Sequence, residues 1–313
     1  GATAGEVGIL RFEASTNQAV CAIKPNKDYV TEYLYYYLLK AKALLASQAT
    51  GGAQPNISQA KIKSLPIPLP PLEEQKRIVS ILDEAFEGLD RARGNAEANL
   101  KNARELFDRI ANSQLTASSE VKRVALGEVA SIPSSLVDPK LPEFLDQPHV
   151  GAGNMVTGRD VLIDVKTSRE EGLKSGKYTF DGNMVLYSKI RPYLRKVARP
   201  DFVGLCSADM YPLLPDSSLL DKDYLFHLML SDDFTSYAIA GSDRAGMPKV
   251  NQTHLFKYQL TLPSIKSQKI AVQTIDLAME KSELLQTDYR TKLQDISDLR
   301  QSLLQKAFAG ELT

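Results

Sequence analysis

The stretch Leu69-Pro-Pro-Leu-Glu-Glu-Gln-Lys-Arg-Ile-Val79 returns 193 residues later as Leu262-Pro-Ser-Ile-Lys-Ser-Gln-Lys-Ile-Ala-Val272. Around it, Pro55 to Ile110 aligns with Pro248 to Leu303 without a gap, and 12 of the 56 positions are identical. The identities include Gln59/Gln252, Gln75/Gln268, Asp83/Asp276, Ala85/Ala278, Leu100/Leu293 and Leu106/Leu299. Self-similarity at a fixed offset marks a duplicated architecture.

The order of features is the same in both copies. A short strand runs into proline, at Cys21-Ala-Ile-Lys-Pro25 and at Cys206 to Pro212. A helix follows with apolar residues three and four apart: Tyr33, Leu34, Tyr37 and Leu38, then Tyr224, Leu225, Leu228 and Met229. Next comes a glycine-containing loop, Thr50 to Asn56 and Gly241 to Lys249. A second strand ends at Pro71 or Pro263, where proline suits a helix start. The copy closes with a helix of about forty residues, about 60 Å long at 1.5 Å per residue.

These helices carry a seam of alternating four- and three-residue steps. In the first it includes Ile78, Leu82, Leu89, Leu100 and Ile110; in the second, Ile275, Leu285, Leu293, Leu299 and Leu303. One alanine-rich stripe per helix is best buried against the other helix. A whole globular unit joins them, so they can run antiparallel with a globular domain at each end. The fold class expected is α+β: two globular domains separated by two long antiparallel coiled-coil helices in a pseudo-two-fold repeat. The expected boundaries are 1–71 for a partial first domain, 72–116 for the first helix, 117–263 for the second domain and 264–313 for the second helix. Gly5 to Ile9 aligns with Leu194 to Ala198, so the first domain is expected to lack roughly 70 residues at its start.

Composition narrows the class. With 43% hydrophobic and 24% charged residues the 313-residue chain reads as globular, not disordered. No apolar run reaches the 18 residues of a membrane span, and no charged-then-apolar start suggests a signal peptide. Two cysteines, Cys21 and Cys206, build no disulfide framework and suit a reducing cytosol. His149, His227 and His254 stand in no metal-ligand spacing, so no metal or cofactor is expected. There is no phosphate-binding loop of the Gly-x-x-x-x-Gly-Lys-Ser/Thr type, and Gly151-Ala-Gly153 lacks the rest of a dinucleotide fingerprint. Neither a tetrad of Asn or Asp, two prolines and an aromatic residue, as in amino-methyltransferases, nor a nuclease carboxylate pattern is present.

Charge is balanced at 38 basic and 38 acidic residues, which argues against a uniformly basic nucleic-acid binder. It is segregated, however. Residues 159–199 hold ten basic and five acidic groups, whereas residues 200–243 hold one basic and eight acidic. A basic face opposite an acidic one is therefore expected, and phosphate contacts need only the local face. The densest run is Lys189, Arg191, Arg195, Lys196 and Arg199, interleaved with Tyr187 and Tyr193. Arginine offers a fork for guanine edges, and lysine and tyrosine can hold phosphates. A solvated strand edge is the plainer reading of the same residues. Arg159, and the polar loop residues Gln54, Asn56, Arg244, Lys249 and Asn251, complete the candidate DNA-binding set.

Two segments carry a family likeness. Leu65-Pro-Ile-Pro-Leu-Pro-Pro-Leu-Glu-Glu-Gln-Lys-Arg-Ile-Val79 resembles the opening of a conserved region in specificity subunits of type I restriction–modification systems. Leu299-Arg-Gln-Ser-Leu-Leu-Gln-Lys-Ala-Phe-Ala-Gly-Glu-Leu312 resembles the close of that family's second conserved region. Ser264-Ile-Lys-Ser-Gln268 departs from the pattern by lacking the Pro-Leu-x-Glu part. The resemblance implies target-recognition domains that each read one half of a bipartite double-stranded DNA site. It also implies helices that dock two methyltransferase subunits, with Glu74, Gln75, Arg77, Gln268 and Lys269 as docking residues, and restriction subunits outside them. Methylation and cleavage would reside in those cytoplasmic partners, leaving this chain non-catalytic and without cofactor. Two other readings remain: a helical scaffold that reads no DNA, and a fragment of a methyltransferase with its own recognition domain.

Overall fold

The computed structural model describes residues 4–47, 57–116, 122–242 and 247–312. In chain order the elements are α1 (Thr31–Ser47), α2 (Gln59–Lys63), α3 (Leu72–Thr116), β1 (Lys122–Ala125), α4 (Leu126–Val129), β2 (Ala130–Ser131), β3 (Leu136–Val137), β4 (Pro148–Val150), β5 (Lys166–Thr167), α5 (Ser168–Glu171), β6 (Lys177–Phe180), β7 (Val185–Ser188), β8 (Val197–Ala198), β9 (Gly204–Ser207), β10 (Met210–Pro215), α6 (Lys222–Leu230), α7 (Asp232–Ala240), α8 (Gln252–Phe256), β11 (Gln259–Leu262) and α9 (Ile265–Ala309). The fold is α+β. It divides into unit 1 (Gly1–Asn102 and Leu285–Thr313) and unit 2 (Ala103–Leu284). Gly310, at φ +79°, takes the left-handed position that closes α9.

Unit 1 packs α1 onto the first part of α3 and the last part of α9. Tyr33, Tyr36, Ile78, Leu82, Phe86, Leu304 and Ala307 share one core. Phe308 receives the ring edges of Tyr33 and Tyr37, each at 5.0 Å between centroids. Here α3 and α9 run antiparallel, since Asp90 pairs with Arg300 at 2.9 Å and Arg77 donates to the Leu312 carbonyl. The strands expected at residues 20–23 and 67–71 are not formed, and unit 1 has no strand among its described residues. Pro66, Pro68 and Pro70 remove alternate ladder donors from the second of them. Its carbonyls bond instead to α1, through the hydroxyls of Tyr33 (to Pro68, 2.9 Å) and Tyr37 (to Pro66, 2.6 Å).

Unit 2 contains three sheets. The antiparallel pair β1–β11 joins the entry and exit of the globular part. A four-stranded sheet has the order β2-β10-β7-β8, and a five-stranded sheet the order β3-β6-β9-β4-β5, in which β4 and β9 are parallel. Period-two alternation distributes the side chains of β7. Val185 and Tyr187 enter a core with α6, α7 and the long helices, and Leu186 enters a second core with Val150, Phe180, Cys206 and Met210. Capping sets the helix starts: the Asp221 carboxylate accepts from Asp223 and Tyr224, and Ser231 Oγ accepts from Phe234. A Cβ at Gly241 would lie 2.0 Å from the His254 ring, so only glycine lets that ring stack on Tyr237. Leu162 makes a single bridge to Met155, and Leu194 lies in a 3-10 turn (Pro192–Leu194).

The seam of α9 differs from the sequence reading. Leu285 and Leu299 were expected in it, yet they are 41% and 49% exposed. Its buried or half-buried positions include one run, Ile275, Met279, Ser282, Gln286, Tyr289, Leu293, Ile296, Arg300, Leu303 and Ala307, that alternates steps of four and three. Helical register, not residue type, decides which side chain faces inward. Gln286 and Arg300 therefore occupy places that a search for apolar residues assigns to their neighbours. Arg300 covers the Phe86 ring at 4.3 Å, using its stem and guanidinium plane as an apolar surface. In α3, Ile78 and Leu82 are buried, and Leu89, Leu100 and Ile110 half-buried.

Candidate nucleic-acid interface

Lys189, Arg191, Arg195 and Lys196, singled out by sequence, lie on and around the turn after β7, which meets segment 247–251. Ile190 bridges Lys249, and the Arg191 amide donates to the Pro248 carbonyl at 2.9 Å. Arg191 (φ +50°) and Arg195 (φ +46°) bracket the 3-10 turn in left-handed backbone, sparsely populated by residues other than glycine. Buried Pro192 stiffens the turn, which leaves Tyr193 53% exposed.

Most of these cations already have partners. Arg195 pairs with Asp232 at the start of α7, and Lys249 pairs with Asp209 at 3.0 Å. Lys196 donates to the Ala152 carbonyl. Lys189 donates to the Ala208 carbonyl and lies 5.0 Å from the centre of the Tyr211 ring; burial draws its pKa below the usual lysine value. Arg159 pairs with Glu283 on α9. The expected separation of a basic face from an acidic one is thus corrected. Acids of segment 200–243 sit against cations of segment 159–199 and neutralise part of the face.

Arg199 is the strongest example, with its side chain 16% exposed. Nε meets Asp160 at 2.7 Å, Nη1 meets Asp223 at 3.3 Å and Nη2 meets Asp276 on α9 at 3.1 Å, while the guanidinium lies 4.6 Å from the Phe226 ring centre. Asp276 also bonds His227 Nε2 at 2.8 Å. Burial would raise the Asp276 carboxyl, but the bonds and charges of His227 and Arg199 outweigh it and hold its pKa below the usual carboxylate value. This network was not read from the sequence. Its signal was the Asp83/Asp276 identity, since Asp83 holds the hydroxyl of Tyr36, the helical counterpart of His227.

Other expected residues fall elsewhere. Tyr187 is 1% exposed, its ring edge-on to Phe234 at 5.4 Å, so it is a core residue and not a surface contact. Asn251 caps α8 by accepting from the His254 amide at 2.8 Å. Gln54, Asn56 and Arg244 lie outside the described residues. Gln75 and Gln268, expected to dock a partner, are fully buried. Gln75 Oε1 accepts from Val30, and its Nε2 donates to Asp28 and Pro70 carbonyls. Gln268 makes the same three bonds with Asp221, Leu219 and Pro263. Each amide ties the start of a short helix to the start of a long one. Near them Glu74, paired with Arg77, and Lys269 remain accessible.

Among the described residues no cluster of His, Cys, Asp or Glu is placed to hold a metal ion, and no helix is long and apolar enough to cross a membrane.

Comparison with known proteins agrees with this architecture. The family model for the type I restriction modification DNA specificity domain matches residues 1–98 and 118–292. The EcoDI type I restriction enzyme specificity subunit of Escherichia coli is 29% identical over 315 residues, covering 90% of this chain and 70% of that protein. The StySPI specificity subunit of Salmonella potsdam is 23% identical, covering 97% and 70%. Among solved structures, the HsdS subunit from Thermoanaerobacter tengcongensis has a TM-score of 0.56 at 20% identity, covering 90% of this chain and 70% of that one. A chain solved in work on complex assembly and conformational transition of the type I R-M system has a TM-score of 0.70 at 18% identity, covering 90% and 71%. These two fix the fold. The chain belongs to the family of type I restriction modification DNA specificity domains.

Proposed function

We propose that this chain is the sequence-reading subunit of a type I restriction–modification assembly and contributes no catalytic residue of its own. The observation that carries this is the duplicated glutamine bracket in a chain of this family. Gln75 and Gln268 attach equivalent helices to equivalent points on α3 and α9, which is the framework two half-site readers would share. Residues 117–263 are the second recognition domain in this reading, and 1–71 belong to the first. Residues 72–116 and 264–313 are the spacer helices. Unlike recognition domains on like helices would make the DNA site bipartite and asymmetric.

Arg159, Lys189, Arg191, Tyr193, Arg195, Lys196 and Lys249 supply the DNA-facing side of unit 2, and methyltransferase subunits dock on the helices. Ile270, Leu277 and Leu284, seven residues apart on α9 and all exposed, form an apolar stripe suited to a partner helix, beside Lys269. In unit 1, Glu74 and Arg77 occupy the corresponding first turns of α3. Restriction subunits would join outside the methyltransferase subunits.

Affinity selection of random duplexes by the chain reconstituted with its modification subunits tests the reading. A split motif is expected, with binding that weakens as salt rises. Selection of no motif would overturn it in favour of a scaffold.

A further inference from the structure

The basic residues of unit 2 are not equivalent. Arg195, Arg199, Lys249 and Arg159 each face a carboxylate, and Lys189 and Lys196 are spent on backbone carbonyls. Among the described residues, the Arg191 side chain has no hydrogen bond, ion pair or ring contact, and it is exposed. Its backbone is the opposite of free. The amide is bonded to Pro248, the carbonyl accepts from Leu194 at 2.9 Å, the next residue is a buried proline, and φ is +50°. Left-handed backbone at a residue other than glycine costs free energy, and such strain gathers at functional sites.

We propose that Arg191 is a base-reading residue of unit 2, directing its guanidinium fork to a guanine edge in the major groove, while Arg195 and Lys249 position the backbone of the DNA. This rests on the DNA-reading function proposed above. Guanine presents two acceptors, O6 and N7, side by side, which match the two parallel N–H groups of the fork. Reading gains from a fixed point of attachment for the donor, and the bonded turn supplies that for the Arg191 backbone. It also demands that no internal acid compete for the fork, and among the described residues this distinguishes Arg191 from Arg195 and its Asp232. A lysine at 191 would keep the charge and lose the fork.

The test is affinity selection from a duplex pool of randomised sequence by the full chain reconstituted with methyltransferase subunits, for wild type, Arg191→Lys, Arg191→Asn and Arg195→Gln. Asparagine tolerates left-handed backbone, so its variant keeps the turn. Wild type should select a half-site containing an invariant guanine. Arg191→Lys and Arg191→Asn should lose roughly ten- to hundredfold preference at that one position, with neighbouring positions unchanged. Arg195→Gln should keep the motif and weaken all duplexes alike. If Arg191→Lys selects the wild-type motif undiminished, or Arg191→Asn weakens every sequence equally, Arg191 contacts phosphate and the assignment is overturned. If wild type selects no motif at all, the DNA-reading function falls with it.

Discussion

Units 1 and 2 solve one problem the same way and another differently. Both anchor a short helix to a long one through a fully buried glutamine with three backbone partners. Both have an aspartate eight residues further on, Asp83 or Asp276, that holds a side chain of the short helix. Unit 2 adds three sheets, and its aspartate gains Arg199. In unit 1 the described chain over residues 10–28 is largely exposed, with Leu10, Phe12, Val20 and Ile23 open to solvent. The difference separates what the repeat conserves, the attachment of a unit to its helix, from what it lets vary, the surface beside it.

The comparison breaks most readily at the glutamines. Gln75→Ala and Gln268→Ala each strand one amide and two carbonyls, and each is expected to cost about 3 kcal/mol in chemical denaturation. Costs that differ several-fold would end the equivalence of the two brackets. Arg199→Met leaves three carboxylates facing one another without a cation and should cost about 2 kcal/mol, short of a fully buried pair because the acids are partly solvated. In unit 1, where Tyr36 stands in the place of His227, Tyr36→Phe removes one hydroxyl bond to Asp83 and should cost about 1 kcal/mol. A double-mutant cycle with Asp276→Asn should show coupling to Arg199 and none to Tyr36.

Acid sharpens the same contrast. Folded Asp276 has a depressed pKa, so its contribution is present above the unfolded carboxylate value of about 3.9 and is lost as pH falls through the folded value. Below pH 4, wild type should lose stability more steeply than Asp276→Asn, as followed by thermal melts across pH 2–5. A steeper loss in the variant would reverse the sign and refute the linkage. The smallest effect belongs to the seam: Leu299→Ala should change stability by less than about 0.5 kcal/mol, whereas buried Leu304→Ala costs several times more.

Much of this was legible in the residues. The offset of 193 exposes the duplication, the 3-4 spacing exposes both long helices, and the quoted Pro-rich and C-terminal segments expose the family. What was not legible depends on long-range pairing. Nothing local in Arg195 or Lys249 announces Asp232 or Asp209, so a basic run reads as a basic face until the acids are placed. Tyr187 reads as exposed from the basic run beside it, although β7 is buried on both of its sides. Gln75 and Gln268 are polar residues at a helix start and read as surface, although their shared identity pointed to a common structural task. Apolarity points to Leu285 and Leu299, whereas helical register turns Gln286 and Arg300 inward.

The internal pairing of the cations in unit 2 has a kinetic consequence. A surface on which Arg159, Arg195, Arg199 and Lys249 are each matched by a carboxylate projects less field beyond the Debye length of about 8 Å at physiological ionic strength than its count of cations suggests. If this is the DNA-facing side, as proposed, duplex DNA approaching it gains reduced long-range steering, and encounter rates should lie nearer the 10⁵–10⁶ M⁻¹s⁻¹ of unsteered association than the charged limit. Discrimination then falls to the lifetime of the bound complex: a wrong half-site is met as often as a right one and let go sooner.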